Sequence, residues 1–302
     1  RTMGIYEKPS KAFIDKLNNV FNINAPYQHG YDVVDAIKAM HNEPGKVFIA
    51  MGGNFLSATP DTKYTAEALN KCSLTVQIST KLNRSHLITG QEALILPTFG
   101  RSDKDVNADG EVQIVSCENS MGVVQLSKGS LKPVSNQLMS ETVIVSKLAQ
   151  ATFGNKTQTP WPLYEKHYDN VRDAIEKTIA GFDDYNKRVR EPGGFYLPNG
   201  SREGKFNTFT GKANFNVAPV TFNKLADDEL LMMTIRTHDQ FNTTIYGLDD
   251  RYRGIYNERR VILMNEKDIA KLGYQAGDVV DLYNYHDSVE RVAHKFMIIS
   301  YN

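Results

Sequence analysis

Cysteine is nearly absent from this 302-residue chain, which has only Cys72 and Cys117. They lie far apart and form no CxxC, so the chain supplies no zinc or iron–sulfur ligand set, and isolated buried thiols are the simple reading. Such cysteine usage fits a cytosolic setting. Net charge is also missing: 35 basic and 35 acidic side chains cancel. That balance argues against a general nucleic-acid binder, which needs a basic face. No apolar run approaches the ~18 residues of a membrane span. No signal peptide is visible, and the chain opens at Arg1 without a Met and stops just after a strong strand pattern. The expectation is a piece of something longer. Neither a GxGxxG fingerprint nor a Walker loop occurs.

What is present is organised around Gly45 to Thr98. Val47 to Met51 is a short apolar run of buried-strand type, ended by Gly52-Gly53-Asn54. Thr59-Pro60-Asp61 reads as a helix start, with Thr as N-cap, Pro at the first helical position and an acid in the first turn. Leu74 to Ile78 and Leu94 to Leu96 are the next strands. Strand, helix, strand with short links implies a right-handed βαβ crossover and a parallel sheet. The turn after the first strand then lies at the carboxyl edge, where open α/β sheets bind ligands. Gly52 and Gly53 let a ligand approach the backbone, and a helix N-terminus near Pro60 favours an anion. Taken alone, the same glycines read more readily as an ordinary tight turn than as a phosphate site.

The length suggests two domains with a real core. Lys8 to Val20 and Val33 to Met40 are amphipathic helix patterns, the second closed by Asn42-Glu43-Pro44-Gly45. Val112 to Val115 and Val123 to Leu126 read as strands, and Ser140 to Phe153 as a capped helix. Residues 1–155 form one α/β domain on this reading. Residues 156–212 are a connector with one helix, Leu163 to Ile179, and proline–glycine turns. Residues 213–302 read as β, with strands at Leu230 to Ile235, Arg260 to Met264, Val279 to Tyr283 and Val292 to Ile299. One short helix, Asn265 to Leu272, lies among them, and a small β-barrel is expected.

The segment Thr234-Ile235-Arg236-Thr237-His238-Asp239-Gln240-Phe241-Asn242-Thr243-Thr244-Ile245-Tyr246-Gly247 resembles the opening of the C-terminal dinucleotide-binding domain of molybdopterin oxidoreductases. Val261-Ile262-Leu263-Met264-Asn265-Glu266-Lys267-Asp268, then Leu272-Gly273 and Ala276-Gly277-Asp278-Val279-Val280, resemble the later signature of that domain. Gly52-Gly53-Asn54, Pro60-Asp61 and Ala93-Leu94-Ile95-Leu96-Pro97 look like the preceding α/β domain. The resemblance covers nearly the whole chain in order and points to the formate-dehydrogenase-alpha-like branch of the DMSO reductase type.

The resemblance implies a Rossmann-like parallel-sheet domain followed by a double-psi β-barrel. It implies molybdenum or tungsten held by two molybdopterin guanine dinucleotides, and two-electron redox of a small-molecule substrate. It also implies electron transfer to an unknown partner through an iron–sulfur cluster upstream of this chain, in the rest of the same polypeptide. The catalytic residues then lie outside this chain, and the chain alone is expected to be inactive. Gly53, Asn54 and Ser57 carry over from the glycine turn, and Ser79, Thr80, Lys81 and Asn83 from the loop after the second strand. Many members carry a guanine-reading acid at the end of that strand; here Ile78 stands there, so base recognition by this domain is not implied.

The chemistry of the polar segment agrees. A pterin guanine dinucleotide is anionic at its pyrophosphate and rich in ring donors and acceptors. Arg236 suits a phosphate bidentately. His238, Gln240, Asn242, Thr243 and Thr244 suit pterin edges, Thr237 is a further cofactor-binding candidate, and Asp239 suits guanine or pterin N–H groups, or equally caps a turn. Arg251 and Arg253 are phosphate candidates, but beside Asp249 and Asp250 they read equally as a solvated ion-pair cluster. A non-catalytic nucleotide-binding module and a protein-interaction module are the competing readings.

Overall fold

The computed structural model describes residues 9–236, 238 and 247–301, and the chain divides into two compact units, Arg1–Pro219 and Val220–Asn302. In the first unit, polar caps set the helix starts. Ser10 accepts from the Phe13 amide at the head of α1 (Lys11–Phe21), and Asp32 from the Asp35 amide at the head of α2 (Val33–Asn42). Then follow β1 (Val47–Met51), the single turn α3 (Phe55–Ala58) and α4 (Thr62–Asn70).

The cap of α4 differs from expectation. Asp61, in the left-handed region at φ 49°, accepts from the Tyr64 amide. Thr59 belongs instead to the end of α3, its amide and its hydroxyl both donating to the Phe55 carbonyl.

Next come β2 (Leu74–Ser79) and β3 (Glu92–Pro97). The three strands form a parallel sheet in the order β1-β2-β3, with Met51 opposite Ile78 and Ile78 opposite Leu96. The parallel sheet read from the sequence is therefore present. The central strand is buried on both faces: Thr75 and Gln77 alternate with Val76 and Ile78, all at most 5% exposed. On one side Ile37, Met40, Leu56, Ala68, Leu69 and Cys72 form a cluster with Phe48.

β4 (Val115–Glu118) and β5 (Val123–Ser127) form an antiparallel pair. Ser140 caps α5 (Glu141–Phe153), whose Ile144 packs with Val76 and Ile78. Burying a side chain such as Ile78 contributes about 1.5–3 kcal/mol.

A single helix was expected over Leu163 to Ile179. It is two: α6 (Trp161–Lys166) and α7 (Asp169–Thr178). The break is made by side chains. His167 is extended, its Nδ1 accepts from the Asp169 amide, and the Tyr168 amide donates to Gln113 Oε1. Both amides thereby leave the helical ladder.

α8 (Tyr185–Arg188) follows, and β6 (Phe195–Tyr196) extends the antiparallel pair beside β5. Val124, Tyr185, Val189, Phe195 and Leu197 form the second cluster. Arg172, 3% exposed, donates to the Ile114 carbonyl at 2.9 Å and to Asn186 Oδ1 at 2.6 Å. Residues of the 156–212 stretch thus pack directly onto the preceding strands.

The second unit holds β7 (Val261–Met264), α9 (Glu266–Lys271), β8 (Val279–Asn284) and β9 (Arg291–Ser300). Their order is β7-β9-β8, with β7 parallel and β8 antiparallel to β9, and Ile298 fully buried on the central strand. Among the described residues this sheet is open, so the expected barrel closure is not seen there. Leu230 to Ile235 has no regular secondary structure and joins no described ladder; Leu230, Leu231, Met232 and Met233 are each more than half exposed. With β7 the segment lines a cavity of about 790 Å³. A strand needs a neighbour's amides and carbonyls, and the described residues offer it none.

Candidate cofactor site

In the first unit the carboxyl ends of β1 and β2 carry two turns that are tied together. Gly52 and Gly53 both sit at positive φ, +64° and +73°, and the Gly52 amide still donates to the Ile78 carbonyl at 2.7 Å. Two successive left-handed residues turn the chain sharply off the sheet, which glycine permits. Opposite lies a 3₁₀ turn over Arg84–Leu87. Asn83 caps it: Oδ1 accepts from the Ser85 amide, while the Asn83 amide donates to His86 Nδ1. Asn83 Nδ2 then crosses to the Gly53 carbonyl at 2.8 Å. Ser85 Oγ accepts from the Leu56 amide and donates to Asn54 Oδ1, and Gln77 Nε2 holds the Ser85 carbonyl.

Of the residues expected from the sequence, Gly53, Asn54 and Asn83 are joined in this network. Ser79 ends β2 and donates its hydroxyl to the Lys81 carbonyl at 2.7 Å. Thr80, Lys81 and Ser57 are exposed on the same edge. Ser85 was not anticipated. The legible signal for it was the Asn-x-Ser-His spacing, which places a cap residue ahead of two side chains able to answer it.

His86 is 8% exposed, and its Nε2 has no hydrogen-bond partner. Because Nδ1 accepts the Asn83 amide, the neutral ring carries its proton on Nε2, an unused donor. With Gly52, Gly53, Gln77, Ser79 and Ser85, His86 lines a space of about 10 Å³, the volume of a single water.

The second unit holds another polar cluster. Asp250 is 2% exposed, fixed by a two-way backbone bridge with Ile255. Its carboxylate accepts from Arg253 Nη1 at 2.6 Å and from the His238 amide at 3.2 Å, and His238 Nδ1 lies 3.0 Å away. Burial pushes the Asp250 carboxyl up, but the Arg253 guanidinium and the two His238 groups outweigh it and hold it at about 2. Arg253 is raised in turn by Asp250. Arg253 Nη1 also reaches the Arg236 carbonyl at 3.3 Å, and the Tyr252 ring lies 4.5 Å from that of His238. The Asp250–Arg253 pair is therefore an enclosed clamp, not a solvated surface pair. The guanidinium of Arg236 is exposed, with no side-chain partner among the described residues. Thr237, Asp239, Gln240, Asn242, Thr243 and Thr244 lie outside the described residues.

Among the described residues no group of three or more His, Cys, Asp or Glu side chains is placed to hold a metal ion, and no helix is long and apolar enough to cross a membrane. The first cluster offers backbone amides, amide side chains and an imidazole, and the second an imidazole and guanidinium groups arranged around the Asp250 carboxylate. That is a mixed donor and acceptor set suited to an anionic, ring-bearing ligand.

Comparison with known proteins agrees with this chemistry. Residues 230–298 match the family described as Molydopterin dinucleotide binding domain. The chain is similar to the uncharacterized oxidoreductase Rv2900c of Mycobacterium tuberculosis, 50% identical over 308 residues that take in 100% of this chain and 39% of that protein. The uncharacterized oxidoreductase Mb2924c of Mycobacterium bovis matches to the same extent. Protein YdeP of Escherichia coli is 39% identical over 289 residues, 93% of this chain and 37% of that protein. The chain thus spans about 39% of the length of the first of these relatives. Residues 230–298 thus match a molybdopterin dinucleotide-binding family, and the chain is similar along its whole length to proteins named as oxidoreductases.

Proposed function

We propose that this chain is the C-terminal portion of a molybdenum or tungsten oxidoreductase of formate-dehydrogenase-like type, and that it binds bis-molybdopterin guanine dinucleotide. The carrying observation is the dinucleotide-binding match over 230–298, which includes Arg236, His238 and the Asp250–Arg253 clamp. The resemblance of the polar segment to the family's motif supports the same reading.

The exposed Arg236 guanidinium fits a ligand that is anionic and rich in acceptors, while the buried His86 Nε2 beside the glycine turn faces a space for one water. When bound, the group supplies two-electron redox at its metal. The chain's own residues hold it. Gly53 and Asn54 shape the turn in the first unit, with Ser57, Ser79, Thr80, Lys81 and Asn83 on the same edge. In the second unit Arg236 takes a phosphate and His238 a ring edge. Thr237, Asp239, Gln240, Asn242 and Thr243 extend that set by sequence motif. The barrel closure expected for such a domain, the small-molecule substrate, the electron partner, the iron–sulfur cluster in the rest of the polypeptide and a cytoplasmic location all belong to this proposal.

The test is the metal and nucleotide content of the full-length protein, purified without oxygen from a host that makes the cofactor. The expected result is Mo or W with about two GMP released by acid per metal atom. A well-folded protein with neither metal nor GMP would overturn the reading in favour of a non-catalytic nucleotide-binding or interaction module.

A further inference from the structure

We propose that Asp250 is the positioning residue of the second unit's cofactor cluster: it fixes the tautomer and orientation of His238, making Nε2 a hydrogen-bond acceptor for a ring N–H of the bound pterin or guanine. This inference rests on the functional reading above and narrows it to one atom and one kind of ligand group.

The geometry carries it. Asp250 is held rigidly, with its backbone tied to Ile255 in both directions and its side chain enclosed. His238 is gripped at two points by the same carboxylate, through its amide at 3.2 Å and its ring Nδ1 at 3.0 Å. A carboxylate is acceptor-only, so a hydrogen bond across that 3.0 Å puts the proton on Nδ1. Arg253 Nη1 also lies 3.1 Å from Nδ1, but both are donors. The guanidinium is instead satisfied by Asp250 Oδ2 and the Arg236 carbonyl. The neutral imidazole is left with a lone pair on Nε2, which has no hydrogen-bond partner among the described residues, on a side chain 45% exposed. Tyr252 flanks the ring at a 45° tilt and limits its rotation.

An acceptor nitrogen suits an N–H or amino group of a pterin or guanine edge and mismatches a phosphate oxygen. Labour is thereby divided within the cluster: Arg236 suits the anionic pyrophosphate, His238 the ring. The carboxylate acts through the imidazole, as an orienting acid does wherever it sets a histidine tautomer.

Asp250→Asn keeps the size but lets an amide N–H face Nδ1, which favours the opposite tautomer. Two measurements on the full-length protein test the proposal. The first is a cycle of Asp250→Asn, His238→Ala and the double variant, reading pterin and GMP retained per folded molecule after dilution. Each single change is expected to weaken retention about tenfold, with the double no worse than His238→Ala alone, because both remove one interaction. Losses that multiply in the double variant would overturn the proposal, as would full retention by a folded Asp250→Asn protein.

The second measurement is the ¹⁵N signature of His238 in selectively labelled protein. It should show Nδ1–H in the parent and lose that form in Asp250→Asn. An Nε2–H tautomer in the parent would overturn the positioning claim even if the cofactor is present. A parent without cofactor but with the Nδ1–H tautomer would instead sink the functional reading, and with it the ligand-facing part of the proposal.

Discussion

The Nδ2 of Asn83 donates to the main-chain carbonyl of Gly53 at 2.8 Å, across 30 positions of sequence. The same side chain caps its own 3₁₀ turn through Oδ1. One amide group thus fixes two turns at the carboxyl edge of the parallel sheet. Asn83→Ala removes a cap and a cross-brace together, at a cost of about 1–2 kcal/mol. Gly53→Ala meets no steric obstacle, since no atom lies within 4 Å of the added Cβ, yet φ stays at +73°. Its cost is conformational and about 1 kcal/mol. Urea unfolding of the two variants should rank them in that order. A neutral Asn83→Ala would mean the brace contributes nothing.

Adjacent glycines in Pro192-Gly193-Gly194 should behave very differently. Gly193 and Gly194 both have positive φ, +85° and +70°. Around Gly193 the space is open, whereas a Cβ on Gly194 would fall on the Val124 carbonyl of β5. Gly193→Ala should cost about 1 kcal/mol. Gly194→Ala must push β6 off β5 and should cost roughly 3 kcal/mol or more. Thermal melting of the pair checks this; equal melting points would rule out the crowding.

How much of this was legible follows the physics of each signal. The apolar runs of β1 and β2 and the cap Ser140 are local patterns, and they produced the elements expected of them. The α6–α7 break was not legible, because Gln113, more than fifty positions away, takes the Tyr168 amide out of the ladder. The Asp61 cap was missed because Thr59 belongs instead to the end of α3. Leu230 to Ile235 has the composition of a strand, but composition cannot supply a ladder neighbour. In the candidate site the glycine turn and Asn83 were visible as residue types. The Asp250 clamp was not, because sequence shows alternating charges and burial decides what they mean.

Acid should loosen the first unit through Asp169. Burial raises its carboxyl, but hydrogen bonds from Arg190 and Arg172 prevail and hold it below the ordinary carboxylate value. Asp169 accepts both oxygens' bonds from Arg190 at 2.8 Å and pairs with the buried Arg172. A carboxyl lowered in the folded state binds protons less readily there than in the unfolded chain. Its stabilisation is therefore complete above the unfolded value of about 3.9 and is lost as pH falls through the folded one. Unfolding midpoints should be flat from neutrality to about pH 5 and fall below about pH 4. Asp169→Asn should lower stability at neutral pH and flatten that acid slope. An unchanged slope in the variant would show that other carboxylates govern it.

Arg236 separates binding from folding. Its carbonyl is engaged by Arg253, but its guanidinium is exposed and has no side-chain partner among the described residues. Truncation therefore removes nothing the fold uses. A bidentate guanidinium–phosphate contact contributes about 1.5–3 kcal/mol, so Arg236→Ala in the full-length protein should lower cofactor retention by about tenfold to a hundredfold. The melting point of the cofactor-free protein should stay the same. Arg236→Lys keeps the charge but loses the fork and should recover only part of the loss. The check is metal and GMP content per folded chain for parent, Ala and Lys forms. Equal content in all three would remove Arg236 from the site, while equal content in Ala and Lys below the parent would assign its whole effect to fork geometry and none to charge.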